Sequence, residues 1–112
     1  MTTSIDPTTT SAWSALSAHH KSLTPNLREW FAVDPERAQK LSFTADELHV
    51  DLSKNLITSE TVELLVKLAE EVKLEQAREA MFSGEHINVT EDRAVLHTAL
   101  RRPEGYTPAL TV

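Results

Sequence analysis

Residues 81–101, MFSGEHINVTEDRAVLHTALR, form the stretch from which the rest of the chain is best interpreted. They combine acidic, histidine, hydroxyl and amide side chains with a short apolar run, and they end in arginine. A solvated surface helix would not need this mixture, and an ordinary core helix would not carry Arg93 and His97 four residues apart on one face. We therefore expect a helix that is buried among polar partners.

The predicted helix runs over residues 90–101. Thr90 is a good N-cap residue, and acidic side chains follow it in the first turn, where the helix dipole favours negative charge. Pro103 prevents the helix from continuing. Its apolar residues cover most of the circumference: Ala94, Val95, Leu96, Ala99 and Leu100. Such a helix is buried on more than one side, which a chain of 112 residues can hardly arrange by itself.

Upstream of this stretch, apolar spacing predicts five further helices. Asp34 followed by Pro35 indicates an N-cap with proline at the first helical position, and Gly84 suits the positive φ that follows a helix end. Of the adjacent pair His19 and His20, one ring should pack inward and the other should be solvated. The predicted ranges are 11–23, 26–32, 35–41, 59–73 and 75–82.

One segment alternates as a strand does. Leu48, Val50 and Leu52 alternate with polar residues, which predicts a strand over residues 47–53. A single strand leaves its backbone groups unpaired, and residues 107–112, TPALTV, end the chain on an apolar run. These two features lead us to expect a truncated chain, with a flexible leader over residues 1–11 and a helical portion over residues 12–112.

Composition excludes several classes of function. The net charge is −6 and no block of Lys or Arg offsets it, which argues against a nucleic-acid or anionic-membrane partner. The absence of cysteine favours a reducing compartment, and the two glycines cannot build a phosphate-cradling loop. The histidines and glutamates of residues 85–97 match no metal-binding spacing, so we expect them to be satisfied by hydrogen bonds.

Two groups of residues are candidates for a site. Arg93, His97 and Arg101 would form one stripe on the predicted helix, which either faces an anion or an active site or joins the helix to its neighbours by salt bridges. Lys54 and Asn55 follow the predicted strand, where polar residues often face a site but also make ordinary turns.

The same residues resemble the glucose-6-phosphate isomerase family. The pattern MF-x-GE-x-IN-x-TE-x-RAVLH-x-ALR of residues 81–101 is similar to the N-terminal region of that family, and VDLSKNLIT of residues 50–58 looks like its strand and following turn. Leu52 departs from the pattern, since the family usually has an aromatic residue there. The opening helices are similar in the spacing of Trp13, Leu16, His20, Leu27, Arg28, Phe31 and Asp34.

The resemblance implies an α/β protein with the three-layer αβα sugar-isomerase fold, of which this chain is a mostly α-helical part with one short strand near residues 47–53. It implies a cytoplasmic homodimer that interconverts glucose 6-phosphate and fructose 6-phosphate through an enediol, with no metal or organic cofactor. The family's catalytic and phosphate-binding residues lie beyond the matched segments, so no catalytic, substrate-binding or metal-binding residue is assigned here. We assign only a supporting role around the active site, without contact to the substrate, to four residues: Arg93, His97, Lys54 and Asn55.

A different class of protein remains open at this point. The chain could be a self-contained, acidic and mostly helical interaction module that has no catalytic role. An in-frame continuation of the coding sequence past Val112 would favour the isomerase, and a stop codon there would favour the module.

Overall fold

The computed structural model describes residues 4–88 and 90–103, which form helices and one short β-hairpin. The α-helices are α1 (Ser11–Ser22), α2 (Leu27–Val33), α3 (Arg37–Lys40), α4 (Ser59–Glu71) and α5 (Leu74–Ser83). Strands β1 (Ser42–Ala45) and β2 (Leu48–Asp51) pair in antiparallel orientation, and 3₁₀ helices occupy Pro7–Thr9 and Ala99–Arg101. The predicted class, mostly α-helical with a short strand near residues 47–53, is confirmed. Residues 107–112 lie outside the described part of the chain.

The chain folds as two compact units. Ser11–Leu68 is one unit, and it contains α1 to α3, the hairpin and most of α4. Its buried residues are Ala12, Leu41, Arg37, Ser53 and Thr61, so polar side chains share its core with apolar ones. The other unit contains α5, where Ala80 is buried. Among the helices of residues 4–88 and 90–103, none has the length and apolar character that a bilayer span requires.

Helix α2 begins at its local capping signal, whereas helix α3 does not. Asn26 caps α2, since its side-chain oxygen accepts a hydrogen bond from the Glu29 amide at 3.2 Å. Asp34 does not start α3 directly, contrary to expectation. Its carboxylate accepts from the Glu36 amide at 3.0 Å and its carbonyl accepts from the Arg37 amide at 3.1 Å, which makes a turn before the short helix.

The expectation of a lone strand is wrong, because β1 pairs with β2. Ala45 lies opposite Leu48, so Asp46 and Glu47 form a two-residue turn. Asp46 adopts a φ of 54°, the left-handed conformation that such turns favour and that aspartate tolerates. Four residues of β1 make too short an alternation to predict a strand by themselves, so the Asp46 turn was the main local sign of its pairing.

The predicted break between α4 and α5 and the predicted end of α5 are both confirmed. Lys73 has a φ of 58° at the break, and Gly84 has a φ of 83° at the end of α5. After Gly84, the amide of Glu85 donates to the carbonyl of Ala80 at 3.0 Å, which closes the helix end in the way left-handed glycines commonly do.

The helix predicted over residues 90–101 does not form in the described residues. Asn88 and Arg93 instead make an isolated antiparallel bridge, and a 3₁₀ turn follows at Ala99–Arg101. The Asn88 side chain accepts from the Glu91 amide at 3.3 Å, a local turn that competes with a helix start. Leu100 is 91% exposed, so the apolar circumference that was expected to be buried lacks the packing that would stabilise a helix.

Candidate functional site

The guanidinium group of Arg37 organises the segment that follows β2. Its Nε donates to the carbonyl oxygen of Ser53 at 2.9 Å, and its Nη2 donates to the carbonyls of Asn55 at 2.9 Å and Ile57 at 2.8 Å. Three carbonyls along one turn therefore converge on a single side chain. A planar group with five fixed donors suits this task, which the single ammonium of lysine could not perform.

Arg37 is buried, and two aromatic rings share its surroundings. Only 6% of the residue is exposed, and its Cζ lies 4.8 Å from the centre of the Trp30 ring and 5.6 Å from that of Phe31. Both distances are within the range of a cation–π attraction. The rings and the carbonyls together compensate the desolvation of a buried cation, so this arrangement stabilises the fold around the turn.

Lys54 and Asn55 lie on the turn that Arg37 holds. The side chains of both residues are exposed, whereas the Asn55 backbone is fixed at both ends: its amide donates to Leu52 at 3.0 Å and its carbonyl accepts from Arg37. Hydrogen bonds from the side chain and the amide of Ser53 lower the pKa of Asp51, which precedes the turn. The structure thus places an exposed cation and amide on an anchored backbone.

A cavity of about 470 Å³ opens beside this turn. Its polar lining includes Lys40, Asp34 and Glu60. Lys40 Nζ lies 2.8 Å from Asp34 Oδ2, and this hydrogen bond lowers the pKa of the Asp34 carboxyl and raises that of the lysine. Because Lys40 is paired and Arg37 is occupied by carbonyls, the cavity lacks the free cation that an anionic sugar phosphate would need. The remaining lining residues are Arg37, Trp30, Val33, Leu41, Thr58 and Ser59.

His19 is the inward-facing member of the histidine pair. Its side chain is 8% exposed, its Nε2 lies 2.6 Å from Thr61 Oγ1, and its Nδ1 lies 3.6 Å from Glu60 Oε2. The order carboxylate, imidazole, hydroxyl is that of a nucleophilic triad. However, the Thr61 hydroxyl is buried and already accepts from the Thr58 amide at 3.0 Å, so it serves to connect α1 with the start of α4.

Arg93 and His97 do not share a helix face in this structure. Both side chains are exposed, and the Arg93 backbone pairs with Asn88 through hydrogen bonds of 3.0 and 3.2 Å. The His97 carbonyl accepts from Arg101 Nη1 at 3.4 Å. The stripe that was expected to include Arg101 is therefore absent, because the helix on which it depended is not formed.

The acidic and histidine residues of the same loop bond to each other. His86 Nδ1 lies 3.2 Å from Asp92 Oδ1, and the Asn88 side chain donates to Glu91 at 3.2 Å. Within residues 4–88 and 90–103, no three His, Asp or Glu side chains converge as a metal site would require.

Sequence reasoning missed Arg37 and the contact between His19 and Thr61. A single arginine closely following the aromatic pair Trp30 and Phe31 was a weak sign of a buried cation. The contact between His19 and Thr61 joins residues 42 positions apart and leaves no local pattern. The structure provides anchored polar segments, and it provides no complete catalytic constellation among its described residues.

Comparison with known proteins shows that this chain is similar to one class of protein, the isomerases that act on sugar phosphates. A family described as phosphoglucose isomerase matches residues 51–109, more than half of the chain. The chain is 59% identical over 99 residues to a glucose-6-phosphate isomerase of Corynebacterium kroppenstedtii and 56% identical over 102 residues to that of Bifidobacterium longum. It is 53% identical over 104 residues to that of Pseudomonas aeruginosa.

The chain therefore belongs to the phosphoglucose isomerase family. The matches cover 88% of this chain for the first two relatives and 92% for the third. They cover only 18%, 18% and 19% of those relatives. The chain thus spans less than a fifth of the length of the curated relatives that it matches.

Proposed function

We propose that the chain is the N-terminal part of a glucose-6-phosphate isomerase. Residues 1–11 form a leader, and residues 12–112 form the N-terminal helical portion of the subunit. The complete enzyme is a cytoplasmic homodimer that interconverts glucose 6-phosphate and fructose 6-phosphate through an enediol, without a metal or organic cofactor. The 112-residue chain has no isomerase activity of its own.

One observation carries this proposal. Relatives named glucose-6-phosphate isomerase share 52 to 59% identity with the chain, yet the chain covers only 18 to 19% of their length. Isomerisation through an enediol needs a base held within hydrogen-bond reach of the substrate proton and donors held around the phosphate. The paired Lys40 and the carbonyl-bound Arg37 support a structural role for this portion rather than a catalytic one.

The four supporting residues divide into two pairs. We assign Lys54 and Asn55 to the anchored turn and Arg93 and His97 to the loop after α5. Their exposed side chains are available to parts of the subunit outside this chain. Whether Arg93 supports packing or activity is decided by substituting it in a complete enzyme and measuring stability and kcat together. Loss of stability with a normal kcat in the folded fraction would leave a packing role alone.

A coupled assay tests the main proposal in two arms. The 112-residue chain should show no conversion of glucose 6-phosphate, whereas the complete relative of Corynebacterium kroppenstedtii serves as the active control. A chimera in which this chain replaces the matching segment of that relative should be active. Turnover by the chain alone, or a folded but inactive chimera, would contradict the proposal.

A further inference from the structure

The β-hairpin separates its apolar and polar side chains completely. Phe43 lies opposite Val50 and Ala45 lies opposite Leu48 in the observed register. Residues directly opposite each other in an antiparallel pair point to the same face, and alternate residues of one strand point to opposite faces. These four residues therefore form one apolar face, called here the hairpin apolar face. The opposite face carries Ser42, Thr44, His49 and Asp51.

The hairpin apolar face remains largely open to solvent. Leu48 is 64% exposed and Phe43 is 44% exposed, while only Val50 of the four is half-buried. Within the described residues the sheet has two strands only. A two-stranded hairpin is marginally stable in water unless its apolar face packs against another part of a protein. We therefore expect a further protein segment to pack against this face.

We propose that the remaining part of the isomerase subunit, which the relatives have and this chain lacks, covers the hairpin apolar face. The inference rests on the proposed function. A contiguous match covering 88% of the chain must include residues 42–51, which lie in its middle, and more than 80% of each of these relatives lies outside the match. The hairpin therefore belongs to the shared segment, and the missing part is large enough to cover it.

A second copy of this chain fits the face less well. Each copy carries a net charge of −6, and the hairpin turn itself consists of Asp46 and Glu47. Repulsion between two copies of like net charge disfavours their association through this face. Four side chains also offer only a few hundred Å², on the order of a quarter of what a stable interface between separate proteins buries. A contact within one folded subunit needs no such area.

Cysteine labelling provides a direct test, because the chain contains no cysteine of its own. Leu48→Cys reports on the hairpin apolar face, and Thr44→Cys on the opposite face is the matched control. Maleimide labelling of each position is followed by peptide mass spectrometry, in the 112-residue chain and in the chimera with the Corynebacterium kroppenstedtii relative. Both positions should react quickly in the chain alone, and only position 48 should become protected in the chimera, by about tenfold or more.

The possible outcomes separate this inference from the proposed function. A folded but inactive chimera in which position 48 is protected would support the cover and contradict the function. An active chimera in which position 48 stays as reactive as position 44 would overturn the cover alone. Protection of position 48 in the chain alone that increases with protein concentration would assign the face to a second copy and overturn the inference.

A second measurement covers the case in which the cysteine variants or the chimera fail to fold. The unmodified chain is co-expressed with the separate remainder of the relative, and the co-purified assembly is footprinted with hydroxyl radicals at Phe43 and Leu48. Lower oxidation of both residues than in the chain alone supports the cover. Unchanged oxidation of both residues in the assembly overturns it.

Discussion

The Nε atom of Arg37 donates to the carbonyl oxygen of Ser53 at 2.9 Å, and both residues are buried. This bond joins the short helix α3 to the turn after β2 across 16 positions of sequence. The same side chain reaches the carbonyls of Asn55 and Ile57, so one guanidinium group anchors the turn at three carbonyls. The position of Lys54 on the surface follows from this anchoring.

Replacing Arg37 by methionine should destabilise the chain strongly. The substitution leaves the carbonyls of Ser53, Asn55 and Ile57 without their donor, at an expected cost of about 2–4 kcal/mol in the free energy of unfolding. Arg37→Lys should recover only part of this loss, because an ammonium cannot match the fork geometry. Urea unfolding measures the change, and Arg28→Met on the exposed part of α2 is the control. Equal stability of the two methionine variants would contradict the anchoring role.

The hydroxyl group of Thr61 should contribute to stability through its two partners. Thr61→Val keeps the shape of the side chain but removes the partner of His19 Nε2 and of the Thr58 amide. We expect the free energy of unfolding to fall by about 1–3 kcal/mol. The His19 ring nitrogen and the Thr58 amide then lack a hydrogen-bond partner in a place that water reaches poorly. Thr44→Val, at an exposed position of β1, should change the unfolding free energy by less than about 0.5 kcal/mol. A similar effect at both positions would show that the buried hydroxyl contributes nothing specific.

Local chemistry made much of the helical structure predictable. Asn26 starts α2 and Gly84 ends α5, as expected, because capping depends on residues that are neighbours in sequence. The pairing of β1 was not predictable in this way, since its only local sign was Asp46 at a two-residue turn. The helix expected over residues 90–101 had good local signals but depended on burial that Leu100 does not obtain.

The candidate site was predictable only in part. The residues of the turn, Lys54 and Asn55, follow from polar residues placed after a strand. The anchor of that turn could not be predicted, because the burial of Arg37 arises from contacts between separate elements. Residue types therefore indicated where the turn lies. The bonds from Arg37 that hold the turn in place became visible only in the tertiary structure.

Two residues with positive φ should respond oppositely to substitution. Gly84→Ala should lower the free energy of unfolding by about 1–2 kcal/mol, because the left-handed conformation at φ 83° is unfavourable for alanine. Lys73→Gly, at φ 58°, relieves a similar strain and should stabilise the chain by about 0.5 kcal/mol after the larger chain entropy of glycine is subtracted. Thermal and urea unfolding of both variants measure these changes. A destabilised Lys73→Gly variant would show that the break between α4 and α5 is not strained.

The Asp34 carboxyl should titrate below the ordinary aspartate value of 3.8, mainly because Lys40 donates a hydrogen bond to it. A lowered pKa in the folded state means that the contribution to stability is present above about pH 4 and is lost as the pH falls through the folded value. The pKa of Lys40 is raised above 10.5, so its contribution is present below that pH and is lost as the pH rises through the raised value.

Carboxyl-detected NMR titration of the chain and of Lys40→Met tests this pair. The substitution should move the Asp34 pKa back toward 3.8, although only in part, because the Glu36 amide still donates to the carboxylate. Asp51 is the internal control, since its lowered pKa comes from Ser53 and should not change. An unchanged pKa of Asp34 in Lys40→Met would mean that the turn amide, and not the lysine, holds this carboxylate in its charged form.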